Sequence, residues 1–251
     1  MVAVSSSVEL SVADKRARAA ALRADGGLGE LAAEVQPVTL AAEQVLPLPS
    51  PLDELVPERG LRRGSVLGVE GPAATSMALA VAAELTATGS WVATVGVPSM
   101  GLLAAAELGV DLARCLVVTI DDGRHWAEAV AALIGAVDLV VTRPPAGVRQ
   151  REVRRVAARA RERGTVVLRL PGGDPASLSP DRRFRTSTPT WVGLTPGRGR
   201  LVARRVRIDR GEGAGAGGRR AVEVWLPGPE GRLAPVVDEA ESAPAPLRSV
   251  S

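Results

Sequence analysis

Ser65-Val66-Leu67-Gly68-Val69-Glu70-Gly71-Pro72-Ala73-Ala74-Thr75-Ser76-Met77-Ala78 is the stretch whose reading decides the fold of this chain. Ser65–Glu70 is an apolar run of strand length, and the residues after the glycine open a helical pattern, Leu79 to Ala87, that stops at Gly89. Strand, glycine-led loop and helix is the layout of a phosphate-binding P-loop. A working loop reads G-x-x-x-x-G-K-S/T. Gly71 supplies its first glycine and Thr75 one of its free positions, but Ser76 stands at the second glycine, Met77 at the lysine and Ala78 at the Mg²⁺-holding hydroxyl. The lysine is a cation aimed at the phosphates, and Met77 has no donor. A charge-assisted hydrogen bond contributes roughly 1.5–3 kcal/mol net. Ala78 offers no hydroxyl to a metal, and Ser76 adds a Cβ where a glycine lets backbone approach closely. The expectation is a nucleotide scaffold without tight ATP binding, phosphoryl transfer or any other catalytic or cofactor site. An ordinary strand-to-helix turn with no ATPase ancestry also fits this octapeptide.

Working outward, the 251 residues and 46% hydrophobic content suffice for one α/β core with extensions. No apolar run approaches the length of a membrane span and no signal-peptide pattern opens the sequence, so a cytoplasmic protein is expected. The lone Cys115 excludes an internal disulfide and a cysteine-based metal cluster, and its neighbours Leu116-Val117-Val118 predict a buried strand thiol. The formal charge is +3, with Lys15 the only lysine. Arginine suits phosphate contacts, and a GC-rich genome produces the same bias.

Residues 1–50 read as an N-terminal helical segment followed by a proline-rich linker. Ala13 to Ala24 is helical, Asp25-Gly26-Gly27 breaks it, Leu28 to Val35 adds a turn or two, and Pro47, Pro49 and Pro51 punctuate Leu46–Leu52. Residues 51–233 read as the core domain. Strand Ser65–Glu70 and helix Ser76–Thr88 are followed by strand Trp91–Val97 and a helix from Ser99 to Leu108. Strand Cys115–Ile120, helix Arg124–Ile134, strand Val137–Thr142, helix Val148–Arg163 and strand Thr165–Leu170 complete the alternation. Continuous apolar strands alternating with helices predict a mostly parallel sheet covered on both faces. Residues 174–190 read as a polar loop. Trp191–Leu194, Leu201–Ile208 and Ala221–Leu226 then form an antiparallel C-terminal extension, with a turn at Gly197–Gly199 and a flexible loop at Gly211–Gly218. Residues 234–251, with Asp238, Glu239, Glu241 and several prolines, read as a disordered tail, either an inert solvated end or a partner segment.

Several segments together resemble the bacterial RecA core. Val56-Pro57-Glu58-Arg59-Gly60-Leu61-Arg62-Arg63-Gly64-Ser65-Val66 is similar to the glycine-bearing lead-in to the RecA P-loop, and Gly71-Pro72 to the start of that loop. Glu107-Leu108-Gly109-Val110-Asp111-Leu112 resembles the segment before the third core strand. Asp121 to Glu128 and Ala136-Val137-Asp138-Leu139-Val140-Val141 fit the next helix and the Walker B strand. The resemblance covers roughly residues 55–226. The departures matter as much. Thr142 stands where the Walker B acid ends its strand, Gly96-Val97-Pro98 where an acidic water activator is offered, and Pro171-Gly172-Gly173 where a nucleotide-sensing glutamine follows the fifth strand. With every catalytic position replaced, the chain resembles ImuA and its actinobacterial form ImuA′, RecA-like accessory proteins of the damage-induced mutasome; Arg143-Pro144-Pro145 and the Arg- and Ala-rich composition look like the actinobacterial form. This resemblance implies a non-catalytic adaptor in translesion synthesis. Its expected partners are ImuB (a Y-family-like polymerase homologue), an error-prone C-family polymerase indirectly, and RecA or single-stranded DNA as further contacts. A cell-division inhibitor of the SulA kind, a surviving ATPase with an unusual loop, and a plain structural subunit are the alternatives.

Other candidate residues carry less. His125, the only histidine, has no metal-ligating neighbour in sequence and reads as a helix-surface residue. Asp121-Asp122 before Gly123 suits a helix N-cap better than a catalytic acid pair, and Asp138 lies at the wrong strand end for Mg²⁺. Arg149, Arg151, Arg154, Arg155, Arg159, Arg161 and Arg163 crowd one helix whose Val153, Val156, Ala157 and Ala160 would face the sheet. That face either tracks a phosphate backbone or is a plain solvated or protein-binding face. Arg182, Arg183 and Arg185 fall where RecA carries a DNA-binding loop, with Phe184 the one aromatic for base stacking. The DNA-contact candidates are therefore Arg151, Arg154, Arg155, Arg159, Arg182, Arg183 and Arg185.

Overall fold

The computed structural model describes residues 45–120, 123–172, 178–195, 198–211 and 220–236. Two compact units divide between Gln44 and Val45. The expected helix at 13–24, the Leu28–Val35 turns, the Asp121-Asp122 cap and residues 237–251 of the tail lie outside the described residues, as does all but Gly211 of the 211–218 loop.

The described fold begins where a linker was expected. β1 (Val45–Pro47) pairs antiparallel with β2 (Gly60–Arg62), and a 3-10 turn, Leu52–Leu55, lies between them. Leu46, Leu48, Leu52 and Leu55 are all buried in the main core. The prolines had suggested a linker, but they alternate with leucines. Period-two spacing turns Leu46 and Leu48 to one side, and burying each contributes roughly 1.5–3 kcal/mol.

The main sheet follows the expected alternation. β3 (Val66–Glu70), α1 (Ala74–Ala87), β4 (Val92–Val95), α2 (Leu102–Glu107), β5 (Cys115–Val118), α3 (Trp126–Leu133), β6 (Leu139–Thr142), α4 (Gln150–Arg163) and β7 (Val166–Arg169) succeed one another. β8 (Arg182–Thr186), β9 (Thr190–Thr195), β10 (Arg198–Arg210), β11 (Ala221–Trp225) and β12 (Ala234–Pro235) complete it. The order is β12-β11-β10-β8-β3-β7-β6-β4-β5, with β9 also on β10. Every pairing from β8 through β3, β7, β6 and β4 to β5 is parallel; those of β8, β9 and β11 with β10, and of β12 with β11, are antiparallel.

Alternating side chains of the buried strands feed two cores. Leu67, Val69, Leu139, Val141 and Leu168 pack with α1. Val66, Val95, Val140 and Val167 pack with α3 and α4 through Trp126, Val130, Val153, Val156 and Ala160. α4 ends at Gly164, which adopts the left-handed φ of 71° that a C-terminal cap favours.

Two expectations need correction. Residues 174–190 are not one loop: Arg182-Arg183-Phe184-Arg185-Thr186 is β8, a strand inside the sheet between β3 and β10. Phe184 and Thr186 are buried while Arg183 and Arg185 face solvent. The arginines gave the segment a loop-like composition and concealed its period of two. Cys115–Val118 was expected to be covered on both faces, but β5 ends the sheet order, Leu116 and Val117 are exposed and Cys115 is half-buried.

Candidate functional site

The turn after β3 is shorter than a phosphate-cradling loop. α1 starts at Ala74, two residues before the expected Ser76, leaving only Gly71-Pro72-Ala73 between strand and helix. Its amides are engaged within the fold. Ala73 N–H donates to Thr186 Oγ1 at 3.0 Å, Ala74 N–H to the Gly71 carbonyl at 3.2 Å, and Met77 N–H to the Ala73 carbonyl at 2.9 Å. Thr186 Oγ1 in turn donates to the Glu70 carbonyl at 3.1 Å. Gly71 has a φ of 98°, and a Cβ there would lie 2.2 Å from the Thr186 carbonyl oxygen, so β8 closes over the turn. Only glycine fits both the dihedral and the space.

The three replaced positions are absorbed into α1. Met77 and Ala78 are buried in the core, Thr75 is half-buried, and Ser76 Oγ accepts a 2.8 Å hydrogen bond from Arg204 Nη2. Arg204 reaches over from β10, donates through Nε to the Leu226 carbonyl at 2.6 Å and lies 5.2 Å from the Trp191 ring centroid. Burial pushes its pKa below the ordinary arginine value. The cation at the first turn of α1 is thus a strand arginine already committed to three partners.

The other nucleotide-site positions are likewise occupied by structural contacts. Thr142 Oγ1, at the end of β6, donates to the Val95 carbonyl at 2.9 Å and accepts from Trp126 Nε1 at 2.7 Å in full burial. Gly96 N–H donates to the Val118 carbonyl at 3.1 Å. Asp138, at the amino end of β6, receives Arg63 at 2.8 Å and the Trp91 N–H at 3.1 Å. His125 is exposed in a 3-10 turn, Gly123–His125. Among the described residues no group of three His, Cys, Asp or Glu could hold a metal, and no helix is long and apolar enough to cross a membrane.

The arginines divide into three settings. Arg151, Arg154, Arg155 and Arg159 are exposed on α4, opposite the buried Val153, Val156 and Ala160. Arg155 and Arg159 border a groove with Arg124 and Glu128 of the neighbouring helical segment. Arg182, on the opposite face of β8 from its neighbours, forks onto Glu58 at 2.8 and 2.9 Å. It is spent on a structural ion pair and does not join a DNA-binding loop. Arg183 and Arg185 instead approach Glu70 at 3.9 and 3.7 Å, joined by the buried Arg169 at 3.6 Å. Burial lowers the Arg169 pKa, Glu70 opposes that shift and Arg183 adds to it. Three guanidiniums on one carboxylate leave the cluster positive.

The strand register places Glu70, Arg169, Arg183 and Arg185 on the same sheet face as Val66 and Val167, the face that α4 covers. Arg161 of α4 reaches Asp181, just before β8, at 3.4 Å. Tertiary structure therefore brings the α4 arginines and the Arg183–Arg185 pair to one side. Sequence reading missed Glu70, Arg169, Thr186 and Arg204. The alternation in residues 182–186 was the available signal for the first three; nothing local points Arg204 at Ser76.

Comparison with known proteins agrees with this architecture. Residues 54–174 match the MT3502 N-terminal domain family. The uncharacterized protein Rv3395c of Mycobacterium tuberculosis is 36% identical over 199 residues, covering 74% of this chain and 94% of that protein. Among solved structures, the RadB recombinase superposes with a TM-score of 0.54 at 16% identity, over 75% of this chain and 97% of that one. The fold is thus RecA/RadB-like, a mostly parallel helix-covered sheet with an antiparallel C-terminal extension. The chain belongs to the MT3502 N-terminal domain family, together with Rv3395c.

Proposed function

We propose that this chain is a non-catalytic, cytoplasmic RecA-like adaptor of the ImuA/ImuA′ kind, acting in DNA-damage-induced translesion synthesis. The observation that carries the reading is the closed three-residue turn, Gly71–Ala73, with Met77 buried where a phosphate-binding lysine would stand. A P-loop needs amides pointing at an anion and a free cation beside them. Here the amides of Ala73 and Met77 bond within the fold, and Arg204 is held by Ser76, Leu226 and Trp191. A RecA-like fold that has given up nucleotide chemistry keeps its surfaces for binding.

On this reading the partners are ImuB, the error-prone C-family polymerase through it, and RecA or single-stranded DNA. The DNA-facing side combines Arg151, Arg154, Arg155 and Arg159 with Arg183 and Arg185; Arg182 drops out because Glu58 holds it.

Two experiments test the proposal. Calorimetric titration with ATP and Mg²⁺ is expected to give no heat of binding; micromolar affinity overturns the dead-site reading and favours an ATPase with an unusual loop. Affinity purification of the tagged chain from damaged and undamaged cells is expected to recover a Y-family-like polymerase homologue. Recovery of the tubulin-like division protein instead moves the assignment to a SulA-like inhibitor.

A further inference from the structure

Away from both the turn and the arginine face, a cavity of about 430 Å³ opens at the carboxyl ends of β4, β5 and β6. Ligands of open parallel sheets bind at this end of the strands, and the volume lies in the range of ligand pockets. Val97, Pro98, Ile120, Trp126, Pro144 and Pro145 give it apolar walls. Arg143 is the only charged side chain among the described lining residues. Its Nε is buried and has no hydrogen-bond partner, and its Nη2 reaches only Ser99 Oγ, at 3.4 Å. The stem is held against Gly172, where a Cβ would lie 2.7 Å from Arg143 Cδ. A fixed cation with an unpaired donor in an apolar surround calls for a carboxylate.

The cavity runs into an unprotected strand edge. Val117 lines it and also belongs to β5, which has no further strand beyond it among the described residues. Exposed edges are normally blunted by charge, proline or a bulge. Cys115-Leu116-Val117-Val118 carries no charge or proline, and Leu116 and Val117 are 40% and 48% exposed. A small molecule would fill the cavity but leave this edge uncovered, whereas a strand-forming peptide covers both.

We propose that the β5 edge and the Arg143 cavity together bind an extended peptide of a partner protein. That peptide carries one apolar side chain for the cavity and, within a few residues, a carboxylate for Arg143. The proposal does not depend on the nucleotide reading, since none of its residues belongs to the Gly71 turn.

The test uses the fluorescently labelled full chain on an array of immobilised decapeptides. Each peptide holds one Leu, Ile or Phe and one Asp at a fixed spacing, beside a twin with Asn for Asp. A subset should bind with about a tenfold preference for Asp over Asn, the value of one charge-assisted hydrogen bond. Arg143→Gln should reduce that preference to under about twofold while retaining some apolar binding, and Val117→Glu should abolish binding of both twins. Circular dichroism melting verifies that each variant is folded; if Arg143→Gln is not, the Asp preference and the exposed-site Val117→Glu decide alone. Absence of an Asp preference, or a preference that survives in folded Arg143→Gln, overturns the proposal. A synthetic peptide of residues 234–251 that displaces the best array peptides equally well assigns the site to the chain's own tail. Self-association in sedimentation that Val117→Glu abolishes assigns it to a second copy. Either result overturns the partner-peptide reading.

Discussion

Replacing Thr186 by valine tests whether β8 locks the turn after β3. The side chains are nearly isosteric, so the change removes a hydroxyl without opening a cavity. Two hydrogen bonds disappear: the one from the buried Ala73 N–H at 3.0 Å and the one to the Glu70 carbonyl at 3.1 Å. Leaving a buried amide unsatisfied costs about 1–3 kcal/mol, and losing the second bond about 0.5–1.5 kcal/mol. The sum is about 2–4 kcal/mol, and at about 2–4 °C per kcal/mol for a chain of this size the melting temperature falls by about 4–16 °C. Thr186→Ser keeps the hydroxyl and is expected to lose less than half as much. Urea denaturation of the three proteins, with m-values compared, gives the difference directly. A Thr186→Val shift below about 0.5 kcal/mol at unchanged m, or equal losses for both substitutions, refutes the argument that this hydroxyl holds the turn closed.

The remaining predictions concern the same surfaces. Met77→Lys, even combined with Ser76→Gly and Ala78→Thr, restores the P-loop consensus but is expected to destabilise the fold by about 3–5 kcal/mol and to confer no ATP binding, because position 77 is fully buried; denaturation and calorimetry check both halves. Gly71→Ala adds a Cβ 2.2 Å from a backbone oxygen at a φ of 98° and is expected to lower the urea midpoint more than Thr186→Val does. If the arginine side binds single-stranded DNA, converting Arg154, Arg155, Arg183 and Arg185 to alanine lowers the slope of log affinity against log salt by about 0.7 per lost phosphate contact, whereas Arg182→Ala leaves it unchanged. Burial pushes the Cys115 thiol pKa up, so the thiolate fraction at a given pH is smaller in the folded chain. Iodoacetamide should therefore modify native Cys115 more slowly at pH 8 than the urea-unfolded chain, with the native rate rising at a higher pH.

The parts of this protein that sequence determined are those governed by local periodicity. The apolar runs at Val66–Glu70, Leu139–Thr142 and Val166–Arg169 demand cover on both faces, and the intervening helical patterns supply it. Val153, Val156 and Ala160 at helical spacing put the α4 arginines in solvent before any coordinates are considered. The exchange of lysine for Met77 is equally visible in the string of residues.

Tertiary structure decided what depends on partners distant in sequence. Arg182-Arg183-Phe184-Arg185-Thr186 is polar enough to pass for a loop until β3 and β10 pair with it on either side. Those pairings send Arg182 to Glu58 and bring Arg183 and Arg185 to Glu70. Leu116-Val117-Val118 has the composition of a buried strand, and only its place at the end of the sheet order leaves it exposed beside Arg143. The length of the turn after β3 was also beyond local reading, because Thr186, 113 residues from Ala73, supplies the acceptor that lets α1 begin at Ala74. Periodicity acts over a few neighbouring residues and specifies elements. Strand order, edge position and ion-pair choice depend on which elements meet, and those contacts determine the candidate site.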